Sequence, residues 1–83
     1  MNKYQKELQI LKPWDDVEGQ CIEVRNGYDR IYTAGHSYLC IPKADKNYFI
    51  AHKICKYGFK GELACYLEED CEIQEFEKAV KKL

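Results

Sequence analysis

The chain has 83 residues, 46% of them hydrophobic and 33% charged, with a formal net charge of -1. Such a length provides one small domain, residues 1–83, burying about 60% of the surface its unfolded chain would expose, and excludes two domains in practice. The apolar fraction excludes a disordered tail, and no apolar run approaches the roughly 20 residues that cross a bilayer, so a cytoplasmic protein with no membrane partner is expected.

Tyr4, Leu8 and Leu11 recur at i, i+4 and i+7 and predict a helix from Asn2 to Leu11, stopped before Pro13. Trp14 is expected to pack beneath it. Residues 13–20 (PWDDVEGQ) read as a loop or one helical turn ended by Gly19. Cys21 to Arg25 begins a strand, and Asn26-Gly27 supplies the positive-φ residues of a tight hairpin. Arg30 to Thr33 makes the return strand, Ala34-Gly35 breaks it, and Ser37 to Ile41 makes a third strand ended by Pro42, which cannot donate to a ladder.

Residues 47–51 fit either strand or helix. The spacing of Ile50, Ala51, Ile54 and Tyr57 favours helix, with Asp45 as N-cap and Gly58 as the residue past its end. Glu62 to Leu67 is short and apolar and reads as a buried strand. A helix between two strands is a crossover, so that strand is expected to run parallel to the third. In the last helix Ile73, Phe76, Ala79, Val80 and Leu83 line one face. Asp70 is its expected cap, Glu77 and Lys81 an i,i+4 pair, and Lys78, Lys81 and Lys82 crowd its end, in line with the helix dipole. The expected class is α+β: a three-stranded meander plus a fourth strand, with an N-terminal helix, a crossover helix and an amphipathic C-terminal helix across the sheet.

Charge is sorted along the chain. Between Arg25 and Lys60 there are seven Lys/Arg and two acids; from Glu62 to Leu83 there are seven acids and three lysines. One basic and one acidic face point to a charged partner or to pairing between elements.

The five cysteines, Cys21, Cys40, Cys55, Cys65 and Cys71, are odd in number and contain no Cys-x-x-Cys, which fits reduced thiols, several of them buried. His36/Cys40 and His52/Cys55 give two His/Cys pairs, a ligand count zinc accepts. On one extended strand, however, His36 and Cys40 lie roughly 13 Å apart at ~3.3 Å per residue. No metal or cofactor is therefore expected. A Cys/His nucleophile lacks any family signature, and Asp15-Asp16 and Glu68-Glu69-Asp70 read as solvated acids, the second group leading into the last helix. No phosphate-binding glycine loop occurs. Binding rather than catalysis is the expected activity.

Two partners fit. A protein partner is favoured, because seven tyrosines and one tryptophan exceed what so small a core can bury, and both are common interface anchors. Tyr28, Arg30 and Tyr32 beside the first turn, with the acids Glu68, Glu69 and Asp70, are the expected contacts. Self-association as a homodimer is the simpler form of the same reading. The alternative is single-stranded nucleic acid held by the basic, Tyr-rich segment 25–60, using Arg25, Lys43, Lys46 and Tyr38. Eleven lysines against two arginines match an AT-rich coding sequence, as in a low-GC bacterium or its phages. In size and composition the chain resembles the small phage-encoded accessory proteins that bind host defence proteins, which implies inhibition of a host protein by occluding its surface.

Overall fold

A computed structural model describes residues 1–24 and 27–81, with the side chains of 20–24 left aside. The expected Arg25, Asn26, Lys82 and Leu83 lie outside the described residues, as does the Cys21 side chain. The elements are α1 (Lys3–Leu11), β1 (Val17–Val24), β2 (Tyr28–Thr33), β3 (Ser37–Pro42), α2 (Tyr48–Ile54), β4 (Phe59–Lys60), β5 (Ala64–Glu68) and α3 (Glu72–Lys81). The α+β class is as expected. Among the described residues no helix is long and apolar enough to cross a membrane.

The strands form one antiparallel sheet in the order β1-β2-β3-β5-β4. Alternation along the strands builds two cores. Leu39, Ile41, Cys65 and Leu67 face α2 and α3, where Tyr48, Ala51, Ile73 and Phe76 cover them. Ile31, Tyr38, Cys40, Ala64 and Tyr66 face the opposite way and are covered by Leu8 of α1. Because β3 and β5 are buried on both faces, they read in the sequence as continuous apolar runs, SYLCI and ACYL, rather than as alternating patterns.

The first helix is capped as a reciprocal box: Gln5 N–H donates to Asn2 Oδ1 at 2.9 Å and Asn2 N–H donates to Gln5 Oε1 at 2.8 Å. Two further glutamine contacts moor it to the sheet edge. Gln5 Nε2 donates to the Gly19 carbonyl at 2.6 Å, and Gln9 takes the Val17 N–H at 2.9 Å. Gly19 is therefore not a helix terminator. It lies within β1 at φ 58, in a left-handed conformation that suits glycine, where the β1–β2 register shifts between Glu18 and Ile22. Trp14 is not beneath α1 either; it is 72% exposed and rests its ring against Phe59 at a centroid distance of 6.2 Å.

The parallel pairing expected after α2 is corrected. β3 and β5 are antiparallel, with Leu39 opposite Leu67 and Ile41 opposite Cys65. The crossover delivers β4, two residues that run in the direction of β3 at the sheet edge, and β5 then turns back to fill the space between them. An element of two residues carries no periodicity, so the sequence does not announce it.

Two caps also differ. Asn47 is the N-cap of α2 and makes no side-chain cap bond, while Asp45 Oδ1 accepts from Asn47 N–H at 2.8 Å in the preceding turn. Gly58 does not close α2; Cys55 does, and Tyr57 lies beyond the helix, exposed. Gly58 is instead a point of close approach, since a Cβ there would lie 1.8 Å from the Tyr66 carbonyl oxygen.

Acid-rich α3 begins with a buried carboxylate. Glu72 is 2% exposed and accepts the N–H groups of Lys56 (2.5 Å), Tyr57 (2.6 Å), Gly58 (3.0 Å) and Glu68 (3.1 Å). The first three donors belong to the α2–β4 connection, outside any ladder, and the fourth to the last residue of β5, so one side chain fixes that connection and the end of β5 against the start of α3. The Glu75 N–H is taken by the Cys71 carbonyl at 3.1 Å, which makes Cys71, not Asp70, the residue at the head of the helix.

Candidate functional site

Residues two apart on β2, Arg30 and Tyr32, project to the same side, and the guanidinium carbon lies 5.7 Å from the tyrosine ring. Antiparallel pairing of β2, β3 and β5 brings that pair to the end of the sheet where Glu68 and Glu69 leave β5. Arg30 Nε donates to Ser37 Oγ at 3.0 Å, Ser37 Oγ donates to Glu69 Oε2 at 2.6 Å, and an Arg30 terminal nitrogen lies 3.9 Å from the same oxygen. His36 Nδ1 stands 3.9 Å from Glu68 Oε1 and 3.7 Å from Glu69 Oε1. Burial raises the Glu68 carboxyl above its ordinary value; the Asp70 N–H, which donates to Oε2 at 3.1 Å, opposes this, and the negative charges of Asp70 and Glu69 add to it.

Arg30, Tyr32, Glu68 and Glu69, expected as partner contacts from two distant segments, thus meet in one cluster, with Asp70 exposed beside it. Tyr28 is the correction. It is 5% exposed, edge-on to Phe76 at 5.5 Å, and its hydroxyl donates to Asp45 Oδ1 at 2.6 Å while accepting from Asn47 Nδ2 at 3.0 Å. Its position after the hairpin suggested exposure, but α2 and α3 cover its end of the β2 face that it shares with Arg30 and Tyr32.

The residues of the nucleic-acid alternative do not assemble. Arg25 is outside the described residues. Lys43 and Lys46 are exposed, but Tyr38 is 3% exposed and its hydroxyl accepts from Lys12 Nζ at 2.7 Å. Tyr28 and Tyr48 are also buried, so of the five tyrosines in segment 25–60 only Tyr32 and Tyr57 have an accessible face. A base-stacking platform needs such faces.

A second surface was not foreseen. α1 and the turn from β4 to β5 border an open groove of about 670 Å³, with an apolar floor from Ile10, Leu11 and Leu63. Lys3, Lys6, Lys43 and Lys60 line it, against Glu7 and Glu62. Glu7 is already engaged: its carboxylate accepts from the N–H groups of Glu62 at 2.7 Å and Leu63 at 3.1 Å and from the Tyr66 hydroxyl at 2.7 Å. Four lysines against two carboxylates give the groove lining an excess of positive charge, although α1 is in no basic block of the sequence. One signal was readable: Ile10 falls off the Tyr4/Leu8/Leu11 face, and it is 77% exposed.

The thiols of Cys55 and Cys65 are free and buried, that of Cys71 is free and exposed, and Cys40 is buried. Burial pushes Cys55 up to about 12 and raises Cys65 as well, which opposes thiolate formation. Among the described residues neither His/Cys pair forms a ligand group; the set whose donor atoms converge is His36, Glu68 and Glu69. No family model, curated protein or solved structure matches this chain.

Proposed function

We propose that the protein is a non-enzymatic binding module that occludes an acidic, partly apolar segment of a protein partner, and that it docks this segment in the groove between α1 and the β4–β5 turn. The observation that carries the reading is the pairing of exposed apolar side chains, Ile10 and Leu63, with four lysines that form no ion pair with a described residue. Exposed apolar area drives association, and lysines at its margin select a negative partner and speed the encounter. Inhibition of a host protein, the activity implied by the resemblance to small phage accessory proteins, is the specific form of this function. The buried tyrosines give no support to single-stranded nucleic acid as the partner.

The test compares baits in lysate of a low-GC bacterium, with and without nuclease treatment. Wild-type protein is set beside Ile10→Glu and Leu63→Glu in the groove and Phe49→Glu, an exposed residue on α2. A protein retained by wild type and Phe49→Glu, lost from both groove variants, and bound through an acidic segment supports the reading. Identical retention on all four baits, or retention abolished by nuclease, overturns it.

A further inference from the structure

We propose that His36, Glu68 and Glu69 bind one divalent transition-metal ion of the zinc class, at the end of the sheet where the β2–β3 turn meets the β5–α3 turn. One donor atom from each residue lies within 4.8 Å of the others, and His36 Nδ1 is 3.9 and 3.7 Å from the two carboxylate oxygens. A tetrahedral ion with bonds of about 2.0–2.1 Å sets its ligands roughly 3.4 Å apart, so side-chain shifts of a few tenths of an ångström close the two histidine edges.

The carboxylates are also aimed. Glu69 has its far oxygen, Oε2, held by Ser37 Oγ at 2.6 Å, and Ser37 is fully buried. Glu68 has its far oxygen held by the Asp70 N–H at 3.1 Å. In each case Oε1 is left to turn toward His36. Hydrogen bonds on the atoms behind the donors are the usual means of orienting metal ligands. Arg30 approaches Glu69 through the same far oxygen, at 3.9 Å, and offsets part of the negative charge. The three carboxylates of Glu68, Glu69 and Asp70 still outnumber it, and a cation at the centre relieves their repulsion. A neutral imidazole with two carboxylates suits zinc, cobalt or manganese better than calcium or magnesium, which prefer oxygen alone. His36 is half exposed, so water completes the coordination. The ion would tie the two turns together and stabilise the folded chain by mass action.

The full-length, reduced protein is titrated with Co2+ and with Zn2+, and binding is read by absorption and by the thermal midpoint. One equivalent, a raised midpoint and cobalt bands without thiolate charge transfer are expected. His36→Gln and Glu69→Gln should each weaken binding at least about tenfold, whereas His52→Gln and Cys71→Ser should leave it unchanged. His36 and Glu69 lie at the surface of turns, and circular dichroism confirms that the variants remain folded. Absence of binding at millimolar metal, affinity unaltered by His36→Gln, or loss of binding with a thiolate band in Cys71→Ser overturns the proposal.

Discussion

The Tyr66 hydroxyl donates to Glu7 Oε1 at 2.7 Å, joining α1 to β5 across 59 positions of chain. The other bonds to the same carboxylate come from the backbone of the β4–β5 turn, so Glu7 fixes both sides of the groove. Gly61 permits this closeness, because a Cβ there would lie 2.1 Å from Glu7 Oε1. Glu7→Ala should destabilise by about 1–3 kcal/mol, as it leaves a buried hydroxyl and two amides without their acceptor, and Tyr66→Phe by about 0.5–1.5 kcal/mol. Urea unfolding of both single variants and the double variant checks this; strict additivity would show that the contact contributes nothing.

Glu72 should be the most sensitive acid of α3. Its removal leaves four backbone N–H groups without their acceptor in the α2–β4 connection and at the end of β5. We expect Glu72→Ala to cost about 3 kcal/mol or more, and Glu75→Ala, at an exposed position, to stay within about 0.5 kcal/mol of wild type. Equal midpoints for the two variants in chemical denaturation would contradict the role given to Glu72.

Acid should remove the contribution of Asp15. Lys12, at 2.9 Å, and the Thr33 hydroxyl, donating at 2.7 Å, hold the Asp15 carboxyl below its ordinary value. A group whose folded value is depressed stabilises fully above its unfolded value and loses that effect as pH falls through the folded one. Burial works against the charge of Lys12, but its bonds to Tyr38 and Asp15 outweigh it and raise its pKa, so Lys12 stays charged throughout that range. The thermal midpoint of Asp15→Asn should lie below that of wild type at neutral pH and converge with it below about pH 4. A constant difference down to low pH would refute the pairing.

Thiol modification should be ordered by burial. Iodoacetamide at neutral pH should label Cys71 in the folded protein and reach Cys40, Cys55 and Cys65 only on unfolding, since those three are buried and Cys55 is displaced to about 12. Mass mapping of the labelled peptides over time measures this. Fast native labelling of Cys55 would revive a reactive cysteine.

Local order was legible wherever one periodicity dominated. The apolar spacing of Tyr4, Leu8 and Leu11, the run SYLCI before Pro42, and Ile73, Phe76 and Val80 each require one element and one buried face, and each packs accordingly. So does the α+β class, because strands and helices alternate too little for a doubly wound sheet. What escaped depends on partners far away in the chain. Two residues of β4 have no pattern of their own, yet they reverse the expected pairing of β5. Tyr28 and Tyr32 share a strand, and only the placement of α2 and α3 buries the first and leaves the second accessible. The sorted charges pointed to a charged partner or to pairing between elements but not to the partners the acids take: Glu72 turned inward to backbone amides, Glu7 to the β4–β5 turn, and Glu69 to Ser37 and Arg30. Composition and spacing determine which elements form and which faces they bury, because those are local energies. The groove and the His36 cluster arise from distances between elements, and only the tertiary structure decides them.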